Sequence, residues 1–226
     1  MAGFEQPRKI LAGQPALILE NVKFPEGPRW HAGALWFSDI HSHRVVTLAA
    51  DGSPKVVVEL PTRPSGLGFL PDGTLLAVAM RKPRAIYAYR DGRLDVLADL
   101  ESLPGDFIND MVVDGRGNAY AGFRSDRRAE GAEAGPEGVV LIRPDGSFRI
   151  VAEGVRGPNG SVVTPDGATL IVAETHGHLL TAFTIAEDGS LRDRRLFAET
   201  GTAFPDGICL DAEGAIWIGG GRAFQR

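Results

Sequence analysis

Apolar residues in this chain come in short runs rich in Val, Ile, Leu and aromatics, cut again and again by Pro-Asp-Gly and Asp-Gly. Runs of that length, bounded by residues that fix φ or supply φ > 0, predict β-hairpins rather than helices. Residues 157–173 hold the pattern in full. Gly157-Pro158-Asn159-Gly160 leads into Ser161-Val162-Val163, the turn Pro165-Asp166-Gly167 follows, and Ala168 to Ala173 make a second run.

The same phrase returns along the chain. It opens at Glu26-Gly27, Ser65-Gly66, Asn109-Asp110, Asn159-Gly160 and Asp206-Gly207, roughly 40–50 residues apart. A repeat of that period, made of short strands, predicts a β-propeller. Between the phrases the pattern supplies further strands, about four per repeat. The second strands include Trp36 to Ile40, Leu75 to Val78, Ala119 to Ala121 and Ile216 to Ile218. Residues 16–19, Ala-Leu-Ile-Leu, are expected to form an N-terminal strand that completes the last blade. Residues 124–138 interrupt the third repeat with charged residues, Ala and Gly, and are expected to form a surface loop, a candidate lid.

The fifth repeat shows two strands and then Gly219-Gly220-Gly221 and a tail with no strand pattern. About four and a half blades are therefore expected within one domain over residues 1–226. An unclosed propeller edge would favour self-association.

Composition narrows the function classes. No apolar run approaches a membrane span, and residues 1–15 lack the apolar core of a signal peptide, so a cytoplasmic protein off the membrane is expected. A net charge of −5 argues against nucleic acid and suits a site that gathers cations. Cys209 is the sole cysteine and, inside an apolar strand, is expected to be a buried packing residue. There is no Gly-x-Ser-x-Gly elbow, and the Gly run at 219–221 is not followed by Lys-Ser or Lys-Thr.

The chemistry lies in the first residue of each phrase. Glu26, Ser65, Asn109, Asn159 and Asp206 all carry side-chain oxygen at one phase of the repeat, and in a propeller one phase faces the central channel. Two carboxylates and two amides meeting at one point suit a hard divalent cation. Ca²⁺ fits first; Mg²⁺ and Mn²⁺ also accept oxygen donors, and Zn²⁺ would lack its usual His or Cys. Such an ion could polarise an ester or lactone carbonyl, with a nearby carboxylate taking the proton of the attacking water. Asp206, held between Pro205 and Gly207, is the better base of the two acids. Arg124 is placed at the channel mouth, His176 and His178 at a blade rim with His176 a substrate contact, and Asp110 as support for the ligand beside it. His41 and His43 are expected in a turn or at a strand edge.

Phe24-Pro25-Glu26-Gly27-Pro28, Trp36-Phe37-Ser38-Asp39-Ile40, Ile108-Asn109-Asp110, Gly157-Pro158-Asn159-Gly160 and Pro205-Asp206-Gly207 together resemble the regucalcin (senescence marker protein)/gluconolactonase family. The resemblance implies an all-β, six-bladed β-propeller of four-stranded blades. It also implies a divalent cation on Glu26, Asn109, Asn159 and Asp206, Asp206 as general base, and a small-molecule lactone as substrate. Family members of the regucalcin type carry a substrate-contacting Arg where this chain has Phe107, which points to a less polar lactone. Two other readings use the same residues: a calcium-binding propeller without turnover, and an inactive fragment of a lactonase.

Overall fold

The computed structural model describes residues 17–126, 135–220 and 223–225. Strands account for nearly all of its regular structure, and each sheet is an antiparallel meander in chain order. The first sheet is β1 (Pro25–His31), β2 (Ala34–Asp39), β3 (Arg44–Leu48) and β4 (Pro54–Glu59). The second is β5 (Pro64–Phe69), β6 (Leu75–Ala79), β7 (Ala85–Arg90) and β8 (Arg93–Asp99). The third is β9 (Phe107–Val113), β10 (Ala119–Arg124), β11 (Gly138–Ile142) and β12 (Phe148–Glu153). The fourth is β13 (Pro158–Val163), β14 (Thr169–Glu174), β15 (Leu179–Ile185) and β16 (Leu191–Glu199). The fifth is β17 (Ile208–Leu210), β18 (Ile216–Gly220) and β19 (Ala223–Gln225).

The hairpin turns form for the reason the sequence gives. Asp72, Asp145, Asp166 and Asp188 each accept the backbone N–H two residues on, at 2.9–3.0 Å, and the Gly after each has φ near +70 to +86°. Burial then orders the sheets. Leu76, Val78 and Ile86 of the second sheet pack with Ile108, Met111 and Val140 of the third, and Tyr120, Val139 and Leu141 of the third with Leu170, Val172 and Phe183 of the fourth. The cores thus lie between neighbouring sheets, face on face, while the outer strand β16 is mostly exposed. The first strands β1, β5, β9, β13 and β17 follow one another as neighbours around the axis. This is a β-propeller of four-stranded blades, with four such blades and a three-stranded sheet among the described residues.

Three expectations need correction. Residues 17–19 form no strand; Leu17 and Ile18 are exposed, and Leu19 packs with Val22 on Phe37, Val46 and Leu48 of the first sheet. Residue 16 lies outside the described residues. The tail does carry a third strand, β19, because Gly219 and Gly220 keep their ladder groups and pair with Phe224 and Ala223. Glycine is needed at 220, where a Cβ would come within 2.4 Å of the Phe204 carbonyl. Cys209 is exposed, on the outward-facing register of β17 opposite Trp217. Of the expected lid, residues 127–134 lie outside the described residues; the remainder joins β10 to β11.

Candidate active site

Four of the five inner strands share one irregularity, which β17 lacks. The β1–β2 ladder slips between Glu26 and Arg29, β5–β6 between Pro64 and Leu67, and β13–β14 between Pro158 and Ser161. On β10 it slips between Ala121 and Phe123, opposite Asn109 and Asp110 of β9. The slip falls on the repeated polar residue at Ser65, Asn109 and Asn159, and on Gly27-Pro28 just after Glu26. A bulge of this kind re-aims a side chain out of the alternation of the sheet. It accounts for polar residues turned toward the axis from strands whose other residues are core.

The glycine that follows each polar residue sets how closely the strands approach. A Cβ on Gly27 would lie 2.9 Å from the Ser65 carbonyl, one on Gly66 2.7 Å from Asp110 Oδ1, and one on Gly160 2.6 Å from the Asp206 carbonyl. Gly27, Gly66 and Gly160 therefore each rest against the backbone or side chain of the next phrase. At Asp110 the glycine is replaced, and the carboxylate accepts the Met111 N–H and pairs with Arg29 at 2.9 Å.

Around Glu26 the backbone is anchored by Asp39, fully buried, which accepts the N–H groups of Lys23 and Phe24 and pairs with Arg44 at 3.0 Å. Burial works to raise the Asp39 carboxyl, but hydrogen bonds from Ser42, Phe24, Arg44 and Lys23 hold it below its ordinary value. Ser38 Oγ donates to the Ser65 carbonyl at 2.6 Å. These two residues of the Trp36–Ile40 motif pin the loop that carries Glu26 and the next blade's phrase.

Asn109 and Asn159 are buried and interlocked. Asn109 Nδ2 donates to Asn159 Oδ1 at 2.9 Å. Asn159 Nδ2 donates to Thr175 Oγ1 at 3.2 Å, and Thr175 Oγ1 donates to the Pro205 carbonyl at 2.7 Å. The direction is forced. A carbonyl accepts only, so the Thr175 proton goes to Pro205, and its lone pair is left for the Asn159 amide nitrogen. The Asn159 oxygen therefore faces away from Thr175. Asn159 also hydrogen-bonds the Asp206 carboxylate.

Asp206 stands in the turn before β17, its N–H on the Gly219 carbonyl at 2.8 Å and its carbonyl on the Gly160 N–H at 3.0 Å. It stays open to solvent on one side, yet the protein around it takes away enough water to raise its carboxyl above the ordinary value. The Asn159 hydrogen bond and Arg124 lower it, and the Asp110 charge raises it. Glu26 is pushed up to about 7, first by burial. Its hydrogen bond from the Gly27 N–H opposes this, and the charges of Asp206 and Asp110 add to it. Glu26 and Asp206, 180 residues apart in sequence, are thus close enough to repel.

The structure brings Glu26, Asn109, Asn159 and Asp206 to one pole, with Ser65 at the same phase offering its carbonyl to Ser38. Phe107 and Arg124 lie beside it, paired across β9 and β10, with the Arg124 guanidinium 4.6 Å over the Phe107 ring. His176 follows β14 at the same end, its ring against Gly157. His178 bonds the Ala203 carbonyl at 2.9 Å. His41 and His43 are exposed, in and just after a short 3-10 turn. Thr175 is the site residue that sequence reasoning missed, since it belongs to no repeated phase.

Among the described residues no three His, Cys, Asp or Glu side chains gather as a metal cluster. The candidate set is of another kind: two carboxylates and two amides, with the third acid, Asp110, turned to Arg29. Hard oxygen donors and two carboxylates that repel each other fit a divalent cation of the Ca²⁺ type, whose charge would offset that repulsion.

A family model described as the SMP-30/gluconolactonase/LRE-like region matches residues 24–225. The chain belongs to that family. Among its relatives, regucalcin of Xenopus laevis is 27% identical over 220 residues, covering 92% of this chain and 73% of the relative. L-arabinolactonase of Azospirillum brasilense is 25% identical over 225 residues, covering 95% and 74%. A solved gluconolactonase from Xanthomonas campestris matches with a TM-score of 0.76 and 27% identity over 92% of this chain and 73% of its own. Family membership and these lactonase relatives support lactone hydrolysis in general terms.

Proposed function

We propose that this protein hydrolyses a lactone at the pole formed by Glu26, Asn109, Asn159 and Asp206, using a divalent cation, Ca²⁺ first. The observation that supports this most is the pairing of two desolvated, mutually repelling carboxyls with two interlocked amides at the repeated phase of the inner strands. Glu26, the amide oxygens and Asp206 would hold the cation. When bound, it supplies Lewis-acid polarisation of the lactone carbonyl and charge for the oxyanion.

The residues of the chain do the rest. Asp206, the more open of the two acids, takes a proton from water as its oxygen attacks the carbonyl carbon. The ring C–O bond breaks, and the same proton passes to the leaving alkoxide, so the product is the hydroxy acid. Asn159 steadies the Asp206 carboxylate through its amide hydrogen bond. Arg124, over the buried Phe107 ring, and His176, at the same end, border the substrate.

The test is turnover of a lactone panel by metal-depleted protein before and after Ca²⁺ is returned. Hydrolysis is expected only with the ion; undiminished hydrolysis after thorough chelation would reject the proposal. Asp206→Asn separates the reading from a calcium-binding propeller without turnover. It should abolish hydrolysis while Ca²⁺ still binds, and a wild-type protein that binds Ca²⁺ but opens no lactone favours the binding role.

A further inference from the structure

Two guanidinium groups flank one buried ring. Arg81 Cζ lies 4.9 Å from the Phe107 centroid and Arg124 Cζ 4.6 Å. Their circumstances differ. Arg81 donates to both carboxylate oxygens of Asp126, at 2.9 and 3.0 Å, and its charge is met. Arg124 makes no ion pair among the described residues, and its Nε is buried with no hydrogen-bond partner. Burial pushes the Arg124 guanidinium below its ordinary value, while Asp206, Glu137 and Asp126 act on it from beyond ion-pair range.

A cation partly withdrawn from water without a partner carries a cost, and proteins meet that cost with a counter-charge. Stacking on Phe107 fixes the plane of the guanidinium, which leaves its N–H edge as the free donor surface. That edge belongs to the last residue of β10, on the side of the channel where Asp206 stands. A planar fork held in one orientation is matched by a planar oxyanion, which accepts two parallel hydrogen bonds.

We infer that the substrate carries an anionic group, a carboxylate by preference, that Arg124 receives. This rests on the lactone reading given above and names the class within it: an acidic lactone, whose fixed charge lies away from the carbonyl under attack. It refines the expectation drawn from Phe107 alone. That ring is itself buried beside Arg81 and Arg124, and the guanidinium without a counter-charge sets a demand for negative charge.

The test uses two lactones of the same ring, one bearing a carboxylate and the other its methyl ester, with the Ca²⁺-loaded wild type, Arg124→Met and Arg124→Lys. The wild type should prefer the acid by about 10- to 100-fold in kcat/KM, the worth of a charge-assisted hydrogen bond. Arg124→Met should erase the preference, lowering kcat/KM for the acid far more than for the ester and chiefly through KM; Arg124→Lys should restore part of it. Equal use of both lactones by the wild type, or equal loss of both in Arg124→Met, would overturn the inference. Tetrahydrofuran-2-carboxylate and its methyl ester, titrated calorimetrically, provide an arm without turnover. The acid binding wild type and not Arg124→Met upholds the anion site even if no lactone is opened; no discrimination between acid and ester refutes it.

Discussion

Glu26 holds its proton where an ordinary glutamate has lost it, and the sign of the consequence is fixed. Its folded pKa, about 7, lies above the ordinary 4.5. Between those values the folded state binds the extra proton, so its contribution is fully present below pH 4.5 and is lost as pH rises through 7. The shift corresponds to about 3 kcal/mol. Cation-free protein should therefore melt lower at pH 8 than at pH 5 by a measurable margin, and Ca²⁺ should stabilise most above pH 7, where the carboxylate is already free to bind. Glu26→Gln should flatten that part of the pH profile and remove the Ca²⁺-dependent rise. Thermal melts across pH with and without the ion check both. Asp206 adds in the same direction, but its open side weakens the effect through solvent screening. At this scale the sequence was partly readable. The oxygen-bearing residues stand out because they repeat, whereas Thr175 acts on Asn159 from a turn that follows no period.

Among elements, the bulge and its glycine set the distance between blades. Gly160 faces the strand that carries Asp206, and a Cβ there would come within 2.5 Å of the Ile208 nitrogen and 2.6 Å of the Asp206 carbonyl. Backbone atoms cannot rotate away as side chains do, so Gly160→Ala must move β17 off β13. The expected cost is about 2–3 kcal/mol in chemical denaturation. The Gly160 N–H bond to Asp206 would be strained with it, and Ca²⁺ affinity should fall about tenfold. Gly167→Ala is the control: its Cβ meets nothing, so only its turn conformation, φ +70°, suffers, and Ca²⁺ affinity should hold. The polar-Gly phrase and its turns were legible because they are local chemistry. Residues 17–19 were misread because an apolar run looks the same whether or not a partner strand exists. The strand β19 was missed because Gly219 and Gly220 suppress the side-chain pattern while keeping the backbone groups that pair.

Across the whole molecule, one contact ties blades that are not neighbours. Arg29 leaves the first sheet, passes the second where Gly66 lacks a Cβ, and reaches Asp110 Oδ1 and the Met111 carbonyl on the third. No periodicity reveals a pair 81 residues apart, and its role is electrostatic as well as mechanical. Asp110 raises the carboxyls of both Glu26 and Asp206, and Arg29 counters it at Glu26. Arg29→Leu would leave Asp110 nearly buried and unpaired, for about 2–4 kcal/mol of stability. It would also expose the Glu26–Asp206 pair to more negative charge, so the Glu26 midpoint should move higher and Ca²⁺ should bind more tightly at pH 8 relative to pH 6. Asp110→Asn should do the reverse to the midpoint at smaller cost, because an amide can still accept from Arg29. If the contact couples the blades as the geometry indicates, the double variant will recover a large part of the stability lost in Arg29→Leu. Denaturation of the four proteins, with Ca²⁺ titrations at the two pH values, measures the coupling; strictly additive losses and an unmoved midpoint would mean that the first and third blades hold the site independently.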